Sequence, residues 1–146
     1  MVRVPLLMRK NFKRQLSSLS KIFDFVGEIL EYYDVEESIA FAVNLAIEEL
    51  FTNTVKYNQT SKTDLTVEIE KKGKYLVVNL IDRDCEEFDL RKIEEVDITK
   101  KLDERRIGGL GIHLVKKMVD NLDYQYSDRQ SKITFKKYLG IANVQH

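Results

Sequence analysis

Leu65, Val67 and Ile69 alternate with polar residues up to a Lys72-Gly73 turn, and Leu76, Val78 and Leu80 take up the alternation directly after it. Two period-two runs joined by a short Gly-containing turn read as neighbouring antiparallel strands. A second pair of this kind, Tyr124 to Tyr126 and Ile133 to Leu139, turns around Asp128 to Ser131 and closes the chain. Hairpins need no crossover helix, so the helices must collect on one face of the sheet to bury their apolar stripes. The expected fold is α+β: a two-layer α/β sandwich whose sheet is mixed, mostly antiparallel, with all helices on one side.

The helical segments are legible from their period. Leu19, Ile22, Phe23, Val26, Ile29, Leu30 and Tyr33 recur at three- and four-residue steps from Ser17 onward. Asp34 reads as the N-cap of a longer second helix, with Glu36 and Glu37 where the helix dipole favours negative charge. Its core face is Ile39, Val43, Ala46, Ile47, Leu50 and Phe51, running to about Tyr57, with Asn58, Gln59 and Ser61 as a loop. Arg3 to Arg9, with Pro5, reads as an edge strand. The charged, weakly periodic stretch of about 83–107 reads as a lid, with a short helix around Asp89 to Glu95. Past it, Leu110, Leu114, Val115, Met118, Val119 and Leu122 form the buried stripe of a last helix.

Composition narrows the function classes. A chain of 146 residues fits one domain, 1–146. Its 24 Lys+Arg against 24 Asp+Glu argue against direct nucleic-acid binding by bulk phosphate neutralisation. One nucleotide is a different matter, since a few backbone amides and a metal suffice for it. The single Cys, Cys85, excludes a disulfide framework and a Cys-based zinc site, and fits a reducing, cytoplasmic setting. No apolar run approaches the roughly 20 residues that span a bilayer, so no membrane association is expected.

Three stretches carry chemistry. In Glu49-Leu50-Phe51-Thr52-Asn53, a spacing of four puts Glu49 and Asn53 one turn apart on one helix face, with Lys56 near the same stripe. A carboxylate, an amide oxygen and an ammonium there can serve as base, Mg²⁺ ligand and phosphate contact, although the same spacing also describes a solvated helix face. Asp82 ends the apolar row Leu76, Val78, Leu80, where a carboxylate can accept a hydrogen bond from a ligand amino group such as that of adenine. Three of the six glycines fall in Arg105-Arg106-Ile107-Gly108-Gly109-Leu110-Gly111, directly ahead of a patterned helix. Glycines before a helix N-terminus let phosphate approach free N–H groups, and the two arginines add charge-assisted donors.

An E-x-x-x-N helix, a strand ending in Asp, a long lid and G-G-L-G opening a helix together resemble the GHKL ATPase superfamily. The short single-domain layout and the phrase RRIGGLGIHLVKKMVD, from Arg105 to Asp120, resemble its bacterial anti-sigma-factor serine/threonine kinases. The resemblance implies ATP and Mg²⁺ as cofactors, Glu49 as general base and Asn53 as metal ligand. It also implies Asp82 as the adenine-recognising aspartate. Gly109, Leu110 and Gly111 match the phosphate-cradling box, with Gly108 adjoining and Arg105 and Arg106 together matching the lid arginines. The implied partners are a small antagonist domain of the STAS type, as phosphorylation substrate, and a sigma factor or similar regulator. The family's habit of pairing through its sheet extends the expectation to a homodimer.

The pattern also departs from the family. Asp84 stands where the first glycine box has its glycine, Tyr57 stands where a histidine is common, and the Phe88-Asp89 pair sits one residue further from Asp82 than expected. The alternative function is a non-catalytic binding module of the same fold with weak or lost nucleotide binding. A sensor histidine kinase fragment is disfavoured, because His113 and His146 are the only histidines and no phospho-acceptor helix pair is present.

Overall fold

The computed structural model describes residues 7–92 and 109–140. In chain order these residues form β1 (Leu7–Phe12), α1 (Leu19–Tyr32), α2 (Glu37–Tyr57), β2 (Leu65–Lys72), β3 (Tyr75–Asp82), α3 (Gly109–Met118), β4 (Asn121–Ser127) and β5 (Gln130–Tyr138). The sheet has five strands in the order β1-β2-β3-β5-β4. Each of its four ladders is antiparallel, so the sheet is not mixed among the described residues. β1 lies at the edge as expected, although it runs to Phe12, and residues 3–6 of the expected strand fall outside the described part.

The core lies between the helices and one sheet face. Ile22, Val26, Ile29 and Leu30 of α1 and Val43, Ala46, Ile47, Leu50 and Phe51 of α2 pack on Leu65, Val67, Ile69, Val78, Leu80, Ile133 and Phe135. The opposite face is tied by polar groups: Arg9 donates to Glu68, Asn79 donates to Glu68, and Thr134 donates to Asn79. Such a division is what period-two strands with one buried face produce.

Two local expectations need correction. Asp34 is not the N-cap of α2. It has φ 53° and ends α1, with the Val35 N–H bonded to Leu30 O and the Asp34 N–H to Glu31 O. That is a Schellman closure, in which Asp takes the left-handed position usually given to Gly, and Glu36 precedes α2 instead. The buried stripe of α3 is Ile112 and Val115, continued by Val119, whereas Leu114 is exposed and Leu122 belongs to β4. A single turn, Leu90–Lys92, stands at the start of the helix expected over Asp89 to Glu95. The remainder of that segment, 93–108, lies outside the described residues.

Candidate functional site

At one end of the sheet Phe12 pairs with Leu65, Leu65 with Asp82, and Asp82 with Ser131. Beside this row, the C-terminal turn of α2, the segment after β3 and the β4–β5 hairpin enclose a cavity of about 420 Å³. That is the size of a small-molecule site, which runs from about 300 to 1,000 Å³. Leu80, Leu90 and Ile133 form an apolar wall, while Thr54, Asn58, Asp82 and Ser131 supply polar groups. Tyr57 and Phe88 also line it, their ring centroids 4.9 Å apart and both rings exposed.

Alternation along β4 places Tyr124 and Tyr126 on the same side, and both hydroxyls hold the segment after β3. Tyr126 donates to Cys85 O at 2.9 Å, and the Phe88 N–H donates to the Tyr124 hydroxyl at 2.9 Å. Asp128 and Arg129 turn the hairpin with φ 51° and 64°, the left-handed pair that a two-residue turn demands. The Arg129 carbonyl, so presented, accepts the Cys85 N–H at 3.0 Å. Cys85 is buried, and burial is the first cause of its raised thiol pKa, which fits a structural cysteine.

Asp82 is 2% exposed and lies against the cavity. Its charge is met by a residue that no motif singled out. Arg14, just past β1, donates Nη2 to Oδ1 at 2.6 Å and Nη1 to Oδ2 at 3.0 Å. Asn58 Nδ2 reaches Oδ2 at 3.2 Å and the Asp84 N–H reaches Oδ1 at 3.1 Å. Arg14 spends its other contacts on Thr63 O (3.2 Å), Thr63 Oγ1 (3.1 Å) and Asn58 O (3.4 Å). The signal that could have exposed it is the cost of an unpaired buried carboxylate. Asp82 ends an apolar row, so a cation had to come from a segment beside the Phe12–Leu65–Asp82 row.

Asp84, the residue in place of glycine, is turned onto its own partners. Arg129 donates Nε and Nη2 to Oδ1 at 3.0 and 2.8 Å, and Ser61 donates to Oδ2 at 3.1 Å. The Arg129 hydrogen bonds, then Ser61, hold its carboxyl below the usual range. The added charge is therefore paired with a guanidinium of the cavity lining.

On α2, Glu49 and Asn53 fall on one stripe, as their spacing predicts. Glu49 is half-buried, and burial followed by repulsion from Glu48 raises its carboxyl pKa. Its carboxylate lies against Gly111 of α3: a Cβ at Gly111 would fall 1.9 Å from Glu49 Oε2. What the absence of a side chain at Gly111 admits here is thus Glu49 itself. Asn53 is 1% exposed and donates Nδ2 to Glu49 O at 2.7 Å. Its Oδ1 is one of two buried side-chain atoms without a hydrogen-bond partner among the described residues, the other being Asn44 Oδ1. An orphaned amide oxygen suits Mg²⁺, a hard cation that takes one or two protein ligands plus water and phosphate. Among the described residues no three His, Cys, Asp or Glu gather to hold a metal.

Lys56 does not join the cavity; its Nζ sits 5.0 Å over the Tyr57 ring. Gly109 and Leu110 begin α3, whereas Arg105, Arg106 and Gly108 lie outside the described residues.

The fold has known counterparts. The RsbU and RsbW domains of a Mycobacterium tuberculosis protein match with a TM-score of 0.68 at 13% identity, over 93% of this chain and 33% of that one. The chain therefore spans a third of the length of that counterpart. A chain of the SiaB–SiaC complex from Pseudomonas aeruginosa matches with a TM-score of 0.59 at 16% identity, over 89% of this chain and 87% of that one. The histidine kinase AdeS of Acinetobacter baumannii matches at 0.50 and 13% identity, over 95% and 70%. Comparison with curated protein sequences gives no match. The model of the histidine kinase-like ATPase domain matches residues 12–137, from the last residue of β1 to within one residue of the end of β5, and the chain belongs to that family.

Proposed function

We propose that the protein is an ATP-dependent serine/threonine protein kinase of the regulatory-switch kind, acting in the cytoplasm on a small antagonist domain and on a sigma factor or similar regulator. The observation that carries this is the Glu49–Asn53 stripe of α2: a carboxylate whose pKa burial raises, seated against Gly111 of α3, and an orphaned amide oxygen one turn further on. A protein partner is supported by the Pseudomonas counterpart, which comes from a two-protein complex. Among the described residues no helix is long and apolar enough to cross a membrane.

In this reading Glu49 accepts the proton of the attacking serine or threonine hydroxyl, and its raised pKa improves it as a base. Asn53 Oδ1 would hold Mg²⁺, which when bound offsets charge on the transferred phosphoryl group. The backbone N–H groups of Gly109, Leu110 and Gly111 sit at the positive end of α3 and would bind phosphate. The nucleobase would be held by the cavity that Tyr57 and Phe88 line. Calorimetric titration with Mg·ATP, followed by transfer from radiolabelled ATP to the cognate antagonist domain, tests the reading. Sub-millimolar binding with transfer is expected. No binding at millimolar nucleotide favours the alternative, a non-catalytic binding module of the same fold with weak or lost nucleotide binding.

Gly111→Ala gives a sharper check. The clash falls on the far end of a flexible side chain, so the fold survives and Glu49 is displaced. Phosphotransfer should fall about tenfold or more, while the midpoint of thermal unfolding holds or rises slightly, since Ala exceeds Gly as a helix former by roughly 1 kcal/mol. Unchanged transfer would show that the Glu49–Gly111 contact has no part in the reaction.

A further inference from the structure

The Arg14–Asp82 pair is closed on both sides. The five contacts of Arg14 account for the five N–H donors of a guanidinium, and the four contacts of Asp82 fill the roughly four acceptor sites of a carboxylate. Both side chains are all but excluded from water, at 4% and 3% exposure. Asp82 thus borders the cavity without offering it an acceptor.

We propose that Arg14 is a specificity-determining residue of this site: by saturating Asp82 it removes hydrogen-bonded selection of the base, so the cavity takes adenine and guanine nucleotides alike. This rests on the nucleotide reading above. A site that hydrogen-bonds a substrate edge rejects an analogue lacking that edge by about 10⁴–10⁵, whereas an apolar pocket discriminates only about 10- to 200-fold. Of the other polar groups on the lining, Thr54 Oγ1 already donates to Leu50 O and Asn58 Nδ2 to Asp82 and Asp84 O, so besides Ser131 a base meets chiefly the Tyr57 and Phe88 rings and the wall of Leu80, Leu90 and Ile133. Stacking of that kind tolerates any base, because every base has a π-face. Arg14 reaches Asp82 from the β1 side and is absent from the cavity lining. It therefore acts through Asp82, as a positioning residue.

The test is calorimetric titration of the full chain with Mg·ATP and, separately, Mg·GTP, repeated on Arg14→Lys. Lysine keeps the charge but lacks the fork, which leaves part of the Asp82 carboxylate open to the cavity. Expected are dissociation constants within about threefold of each other for the unaltered protein and an ATP preference of about tenfold or more for Arg14→Lys. An ATP preference of tenfold or more in the unaltered protein overturns the inference alone. A folded Arg14→Lys protein that still binds both nucleotides alike overturns the role given to Arg14. Binding of neither nucleotide at millimolar concentration overturns the nucleotide reading and this inference together. Should Arg14→Lys fail to fold by circular dichroism, the ratio in the unaltered protein decides.

Discussion

Glu49→Ala is expected to lower phosphotransfer by about 10²- to 10⁴-fold, the range a positioned general base contributes, while the dissociation constant for Mg·ATP stays close to that of the unaltered protein. The split follows from position. Glu49 faces Gly111 of α3 and does not line the cavity that would take the base and sugar, so its removal takes away proton transfer and leaves the binding surface standing. A purely structural role would predict the reverse, a loss of stability with transfer intact. The pH profile separates the two further. Burial, then Glu48, raises the Glu49 carboxyl pKa, and a base works only when ionised. Transfer by the unaltered protein should therefore decline on acidification at a higher pH than an ordinary glutamate would set. In Glu49→Ala that limb should vanish, leaving a low rate nearly flat across the same interval. Equal transfer by Glu49→Ala, with a purified cognate antagonist, would sink the assignment.

Periodicity carries far in this chain wherever structure is local. The two hairpins, the helices on one face and the Glu49–Asn53 stripe all follow from spacing, because a strand alternates and a helix brings residues four apart together. Where contacts cross the chain the sequence is silent. Arg14 and Asp82 are 68 positions apart, and nothing in either segment names the other. Asp84 stands out in the sequence only as a charge in a glycine's place, because its partner, Arg129, arrives from a turn 45 positions later. Asp34 departs from its expected role for a different reason: Asp serves both as an N-cap and as a left-handed closing residue. The choice was made by the Val35 N–H bonding back to Leu30. Leu114 kept the helical period but lies on the face of α3 turned from the sheet, since which stripe is buried depends on where the helix docks.

Arg14→Ala should destabilise the fold by about 3–5 kcal/mol, the usual penalty for removing one partner of a buried ion pair. The reason is what remains. Asp82 keeps two donors, Asn58 Nδ2 and the Asp84 N–H, but loses the only cation bonded to it among the described residues, at a position 2% exposed. Thr63 O and Thr63 Oγ1 lose donors in the same step, which loosens the strand entry at Leu65 opposite Phe12. Urea unfolding should show a lower midpoint with an unchanged slope, the mark of altered stability rather than altered compactness. The Arg129–Asp84 pair is the internal control. It has comparable geometry, with Nη2 to Oδ1 at 2.8 Å, yet its side chains are 58% and 40% exposed. Water solvates either charge when the other is removed, and ion pairs of that kind contribute little. If Arg14→Ala unfolds no more easily than the unaltered protein, the carboxylate at Asp82 has found solvent. The closed pair would then not be the arrangement that holds this end of the sheet.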